Sequence, residues 1–316
     1  MYLLIDARPR ANMAASARRV LITGANKGIG LANVEAILSA HADAFVFLGS
    51  RDAARGDAAR ASLAPALAAR CEVVPLDVTS DASVAAAAAR VAAHGPLYAA
   101  LLNSGVAGCG AAETMAVNLA GVKRCVDAFA PLMAGAPDAR IAVVSSGVAS
   151  MFVAKCSPAT VAWFLAPHDE AEVLAAAARL AALVDAEDNA ALAAAGYFER
   201  PADSSRESLA YWASKAMVTS YVMSAARALA PRGIKVNSAS PGFIDTDLVG
   251  ALTKGSGKSA ADMGALPPSR SAPVFERLLF GDVSLGEGHD YGSDAMRSPM
   301  HRYRAPFKEP EYDGTS

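Results

Sequence analysis

Thr23-Gly24-Ala25-Asn26-Lys27-Gly28-Ile29-Gly30 follows a short apolar run, Val20–Thr23, and opens an amphipathic stretch, Ile29–Ala40. That order reads as strand, glycine-rich turn and helix. Glycines permit a tight turn and let the backbone approach a pyrophosphate, which then lies at the positive end of the helix. The spacing is G-x-x-x-G-x-G, not the commoner G-x-G-x-x-G. Taken alone, such a stretch is also a plain turn.

The pattern repeats outward from that turn. Ala44–Leu48, Glu72–Leu76, Leu97–Leu102 and Arg140–Val144 are further apolar runs. Helical stretches Asp52–Ala69, Ser80–Ala93 and Ala112–Met133 lie between them, with Ser80 or Asp81 as an N-cap. Five short strands alternating with helices predict a Rossmann-type α/β fold: a doubly wound parallel sheet with helices on both faces. Ligands in such sheets bind beyond the carboxyl ends of the strands. After Ser150 the alternation stops. A helix is expected over Ala166–Gly196, with Val173, Ala177, Leu180 and Val184 on one face, then a long helix over Ser208–Ala230 and a sixth strand at Lys235–Ala239. Val274–Phe280 predicts a short helix and Asp290–Ser293 an edge strand. The expected organisation is a disordered leader over 1–18, one domain over 19–300 with a helical insertion at 151–207, and an extended or frayed tail over 301–316.

Composition narrows the function classes. The 316 residues carry 29 Lys+Arg against 31 Asp+Glu, so no basic excess exists to neutralise a nucleic-acid backbone. No apolar run approaches the roughly 18 residues that a membrane span needs. Cys71, Cys109, Cys125 and Cys156 form no CxxC pair, and the histidines show no metal-ligand spacing. Reduced thiols in a cytoplasmic protein that binds neither nucleic acid, membrane nor metal are expected, although a weak organellar targeting peptide stays open for the basic first residues.

Three further motifs carry chemistry. The second strand ends in Gly49 and Ser50, followed by Arg51. An acidic residue at this strand end would accept the ribose hydroxyls of NAD; Arg51 and Lys27 instead place two cations where a 2′-phosphate would lie, which favours NADP. The alternative is a solvated Arg51 beside Asp52 as a helix N-cap. Tyr211 and Lys215, four apart on the long helix, share one face. Bringing a phenol from ~10 to neutrality takes about 4 kcal/mol. One cation at ~4 Å with an effective dielectric of ~20 supplies about 4 kcal/mol, so Lys215 suffices unless desolvation cancels the gain. The alternative is a packed tyrosine with an exposed lysine. Ser145 and Ser146 end the fifth strand, where a hydroxyl can donate to a carbonyl oxygen or simply close a turn.

Together these motifs resemble the short-chain dehydrogenase/reductase family, and within it the carbonyl reductase-like branch. The resemblance runs from about Arg19 to Leu248 and rests on TGANKGIG (Thr23–Gly30), LGSRDAARG (Leu48–Gly56), LDVT (Leu76–Thr79), NSG (Asn103–Gly105), VNLAG (Val117–Gly121), VVSSG (Val143–Gly147), YWASK (Tyr211–Lys215) and PGFIDTD (Pro241–Asp247). It implies Tyr211 as general acid or base, Lys215 lowering its pKa and holding the nicotinamide ribose, Ser146 polarising the substrate carbonyl, and Asn118 holding a relay water. It implies cofactor contacts at Gly24, Asn26, Lys27, Gly28, Ile29, Gly30, Ser50, Arg51, Asp77, Val78, Asn103, Ser104, Gly105, Pro241, Gly242, Ile244 and Thr246. Asn103-Ser104-Gly105 departs from the family's Asn-Asn-Ala-Gly but keeps the first Asn and the Gly. The expected activity is NADPH-dependent reduction of aldehydes, ketones or quinones. Alternatives are enoyl C=C reduction, NADP-dependent alcohol oxidation on the same site, or a non-catalytic NADP(H)-sensing or scaffold protein. The long separation of Ser146 from Tyr211 implies an insertion of the kind that accompanies monomers in this branch.

Overall fold

The computed structural model describes residues 17–201, 204–252 and 259–314. Eight strands among them form one sheet in the order β3-β2-β1-β4-β5-β6-β7-β8. They are β1 (Arg18–Ile22), β2 (Ala44–Ser50), β3 (Cys71–Pro75), β4 (Ala99–Leu102), β5 (Arg140–Val144), β6 (Lys235–Ala239), β7 (Asp290–Tyr291) and β8 (Arg297–Ser298). All neighbours pair parallel except β7 and β8. The order reverses between β1 and β4, which opens a crevice above their carboxyl ends. The single expected edge strand at Asp290–Ser293 is therefore a short hairpin, because the chain turns through Gly292 to Ala295.

Side chains alternate across the sheet, so each strand feeds two cores. Val20 and Ile22 pack with Val34, Ile37 and Phe275 on one face, under α1 (Gly28–Ala40). Leu21 packs with Phe47, Ile141 and Leu180 on the other. The expected helix over Asp52–Ala69 divides into α2 (Ala53–Ser62) and α3 (Pro65–Ala68). Pro65 explains the break: it lacks an amide hydrogen and disfavours helical geometry in the residue before it. Asp52 caps α2 by accepting from the Arg55 amide at 2.9 Å. Ser80 caps α4 (Asp81–Ala92) in the same way.

The expected helix over Ala112–Met133 is also not one rod. It runs as α5 (Ala111–Met115), a π-turn (Ala116–Ala120), α6 (Gly121–Phe129) and a 3₁₀ turn (Ala130–Met133). The Gly121 amide reaches back to the Ala116 carbonyl, one residue further than in an α-helix.

The insertion folds as α7 (Val148–Val153), α8 (Pro158–Leu165), α9 (Glu170–Asp185) and α10 (Asn189–Ala194). α9 stops at Asp185, short of the expected Gly196. Its Val173, Ala177, Leu180 and Val184 are buried in the core it shares with α11 (Arg206–Leu229) and α5. Asp185 then accepts from the Ala111 and Ala112 amides at 2.7 and 2.9 Å, so the end of α9 caps the start of α5. Trp163 stacks on His168, while Phe152 and Phe164 are buried edge to face. α12 (Asp247–Leu252) and α13 (Ala272–Phe280) complete the helices among the described residues. No helix among those residues is long and apolar enough to cross a membrane.

The tail over 301–314 has no regular structure but is not frayed. The Arg304 side chain is fully buried, paired with Asp294, and donates to the Glu309 carbonyl at 2.8 Å. A strand begins at Arg18, inside the span expected to be leader; residues 1–16 lie outside the described part.

Leu180 sits fully buried on α9 facing the core. Leu180→Ala should cost about 2–5 kcal/mol of unfolding free energy in denaturant titration. A loss below about 1 kcal/mol would show that the insertion is not part of the cooperative core.

Candidate active site

The glycine turn is built by steric necessity. Gly28 has φ +53°, a left-handed conformation that favours glycine. A Cβ on Gly30 would stand 2.5 Å from the Gly24 carbonyl oxygen and 2.7 Å from Asn103 Nδ2. Asn103 reaches in from the end of β4 and donates through Nδ2 to the Thr23 and Gly24 carbonyls at 2.9 and 3.1 Å. The Thr23 hydroxyl accepts from the Asn103 and Ser104 amides at 2.9 and 3.0 Å. Asn103 thus supports the turn, and Thr23 is a partner that strand periodicity alone did not single out.

The first turn of α1 has neither a side-chain cap nor an acidic residue. Its free amides and positive dipole end suit a phosphate. Lys27 and Arg51 are exposed around this mouth. Lys27 forms an ion pair with Asp247 from the PGFIDTD segment, and Thr246 packs against Gly28, so that segment lies across the turn. Both partners of the ion pair are largely exposed, and an arriving anion displaces such a pair at little cost. Asp77 holds the Thr79 amide and hydroxyl at 2.9 and 2.7 Å, and these bonds keep its carboxyl below the usual range, with Arg51 contributing. Ser50 is buried and donates to the Asp52 carbonyl at 2.6 Å, closing the strand-to-helix corner. Val78 packs on Gly121, where a Cβ would meet it at 2.8 Å. The residues present therefore fit a dinucleotide along the crevice. Asn26, Ile29, Gly105, Pro241, Gly242 and Ile244 border the same turn, strand ends and segment.

Tyr211 and Lys215 lie where α11 crosses the carboxyl ends of β5 and β6. Tyr211 is 7% exposed, and Ser146 at the end of β5 is near enough to oppose the rise that burial gives its phenol. Lys215 is 5% exposed, and its Nζ donates to the Val144 carbonyl at 2.7 Å. The packed-tyrosine, exposed-lysine alternative fails because the lysine is buried as well. The balance between cation and desolvation goes the other way from the simple estimate. Lys215 Nζ stands 5.7 Å from the Tyr211 ring centre. Burial pushes the Tyr211 phenol up to about 12, against a lowering from Ser146. Burial also brings Lys215 down to about 8, with Asp290 opposing. Lys215 alone therefore does not make Tyr211 a phenolate at neutral pH.

Asn118 sits in the π-turn, 1% exposed. Its amide accepts from the Val106 amide at 2.8 Å and donates to the Val106 carbonyl and Ser214 hydroxyl, each at 3.0 Å. Ser214 in turn donates to the Tyr211 carbonyl at 2.8 Å. The Asn118 side chain is thus spent on locking the 105–106 loop to α11, and only its main chain is left for a relay. Tyr303 from the tail also reaches the site. A Cβ on Gly147, beside Ser146, would meet its ring at 2.9 Å. No motif marked Tyr303, since nothing in the sequence ties the tail to β5.

A family model described as short chain dehydrogenase matches residues 18–158, and one described as enoyl-(acyl carrier protein) reductase matches residues 171–273. A short-chain dehydrogenase/reductase of Aspergillus fumigatus is 31% identical over 150 residues, 43% of this chain and 58% of that protein. The chain thus spans a little over half the length of that relative. Salutaridine reductase from Papaver somniferum is similar in fold, with a TM-score of 0.67 and 23% identity over 85% of this chain and 98% of that one. NADPH-bound carbonyl reductase from chicken fatty liver has a TM-score of 0.61 and 20% identity over 89% and 98% of the two chains. The two family matches follow one another along most of the chain, and the protein belongs to the short-chain dehydrogenase/reductase family.

Proposed function

We propose that this protein is an NADPH-dependent reductase of carbonyl compounds, namely aldehydes, ketones or quinones. The observation that carries this is the buried pair Tyr211 and Lys215 at the carboxyl edge of β5, with Lys215 Nζ on the Val144 carbonyl at 2.7 Å and Tyr211 held in its protonated form. A phenol pushed up to about 12 is a poor base near neutrality but keeps a proton to give. That favours reduction over alcohol oxidation.

A dihydronicotinamide bound in the crevice would supply the hydride. The rest falls to side chains of this chain. Ser146 and Tyr211 donate to the carbonyl oxygen, and both bonds strengthen as negative charge builds there. Tyr211 then passes its proton to that oxygen. Lys215 places a cation beneath the phenol and favours the phenolate left behind. Gly24, Gly28, Gly30 and the start of α1 take the diphosphate. Arg51 and, once released from Asp247, Lys27 take a 2′-phosphate. The chicken carbonyl reductase structure is described as NADPH-bound, which supports the same choice here. Burial of the α9 apolar face within the chain supports a monomer, and the four free thiols suit the cytoplasm.

Steady NADPH consumption with a panel of quinones and reactive aldehydes tests the reading. Tyr211→Phe should lower kcat by about 10²-fold or more with NADPH affinity kept. NADPH binding without turnover across the panel would favour a sensor instead, and a saturated C–C product from an enone would favour C=C reduction. Arg51→Ala should weaken NADPH binding about tenfold while leaving NADH nearly unchanged. Equal losses for both cofactors, measured by fluorescence titration, would overturn the 2′-phosphate assignment.

A further inference from the structure

The tail is anchored on both sides of Tyr303. Met300 is buried, and Arg304 is fully buried in its ion pair with Asp294. Arg304 Nη1 donates to the Glu309 carbonyl at 2.8 Å and Nε to the Ser298 hydroxyl at 3.2 Å. The Phe307 amide donates to Asp294 Oδ2 at 2.8 Å. A guanidinium buried in this way keeps its place, because leaving Asp294 would strand a charge in the interior. Asp294 stands in the turn between β7 and β8, and its neighbour Ser293 packs on Gly242 of the PGFIDTD segment, where a Cβ would meet it at 3.2 Å. The Ser240 hydroxyl accepts from the Gly147 amide at 3.0 Å and from the Gly242 amide at 3.4 Å. A closed circuit of contacts therefore runs from Gly147 through Ser240, Gly242 and the hairpin turn to Arg304, and back through Tyr303 to Gly147.

Only part of the Tyr303 ring is covered by that circuit. A Cβ on Gly147 would stand 2.9 Å from Tyr303 Cε2 and 3.4 Å from Cδ2, so one ring edge rests on bare backbone next to Ser146. Tyr303 is nevertheless 43% exposed, and Ser146 and Gly147 are themselves only half-buried. An aromatic surface thus stands open one residue away from the serine hydroxyl of the site. The buried ion pair fixes its backbone before any ligand arrives, so little freedom is lost when a ligand packs on it. Flat unsaturated groups gain most from such a ring, because offset and edge-to-face pairs add to the burial of area. We propose that Tyr303 is a specificity residue: its ring is the wall on which the flat part of an aromatic carbonyl substrate packs, favouring aryl aldehydes, aryl ketones and quinones over short aliphatic carbonyls. The inference rests on the reductase reading for turnover; the ring contact itself does not.

Tyr303→Ala should raise KM for 2-naphthaldehyde about tenfold with kcat kept, since it removes binding shared by ground and transition states. KM for butanal, the affinity for NADPH and the melting temperature should stay as they are. Tyr303→Phe keeps the ring and should behave as the unaltered protein with both aldehydes. Tyr303→Leu fills the space without a flat face, and decides the case if Tyr303→Ala lowers the melting temperature. Equal losses for the two aldehydes, or no loss for 2-naphthaldehyde, would overturn the proposal. Calorimetric titration of the NADP⁺-loaded protein with 2-naphthol reads the contact without turnover. Tyr303→Ala should weaken that binding about tenfold. Unchanged affinity, or no binding of 2-naphthol to the unaltered protein, would overturn the assignment. Weakened 2-naphthol binding in a protein that reduces neither aldehyde would leave the Tyr303 wall standing and remove only the reductase reading.

Discussion

The Lys215 ammonium gives a hydrogen to the Val144 carbonyl at 2.7 Å, at the last residue of β5. That bond pins α11 to the carboxyl edge of the sheet and sets where every other polar group of the site can stand. Tyr211, one turn earlier, is thereby placed over Ser146. Ser214, between them, catches the Asn118 amide. Because the lysine is buried, the sheet edge must supply its polar partner, and the Val144 carbonyl does so. The apolar sheet below cannot relax to admit water, so charge at this edge is set by a few fixed groups.

The glycine turn imposes the matching constraint from the other side. Gly30 leaves no room for a side chain between Gly24 and Asn103. That closeness brings the start of α1 over the crevice between β1 and β4. The site is thus the meeting of two rigid corners of one sheet, and the PGFIDTD segment spans part of the gap through Asp247 and Thr246.

Much of this was legible in the sequence because it depends on local rules. Apolar runs marked the six long strands, with β5 and β6 at their expected bounds, and Asp52 and Ser80 acted as helix caps. The YWASK spacing placed Tyr211 and Lys215 on one face. What was missed depends on contacts distant in sequence. The π-turn at Asn118 answers to the 105–106 loop and α11, not to its own periodicity. Asp185 reads as a late helical residue yet caps α5. Arg304, in a stretch rich in charge and proline, is fully buried because Asp294 meets it. The phenol's protonation could not be settled by counting one cation, because burial raises it and only Ser146 opposes the rise.

A crystal structure of the protein with NADPH measures the central claim most directly. The account predicts the diphosphate on the Gly24–Gly30 turn and the nicotinamide ring beside the Tyr211 hydroxyl, with Lys215 still on the Val144 carbonyl and the Ser146 hydroxyl facing the same space. A nicotinamide lying away from Tyr211, or a Ser146 hydroxyl turned away from that space, would contradict it.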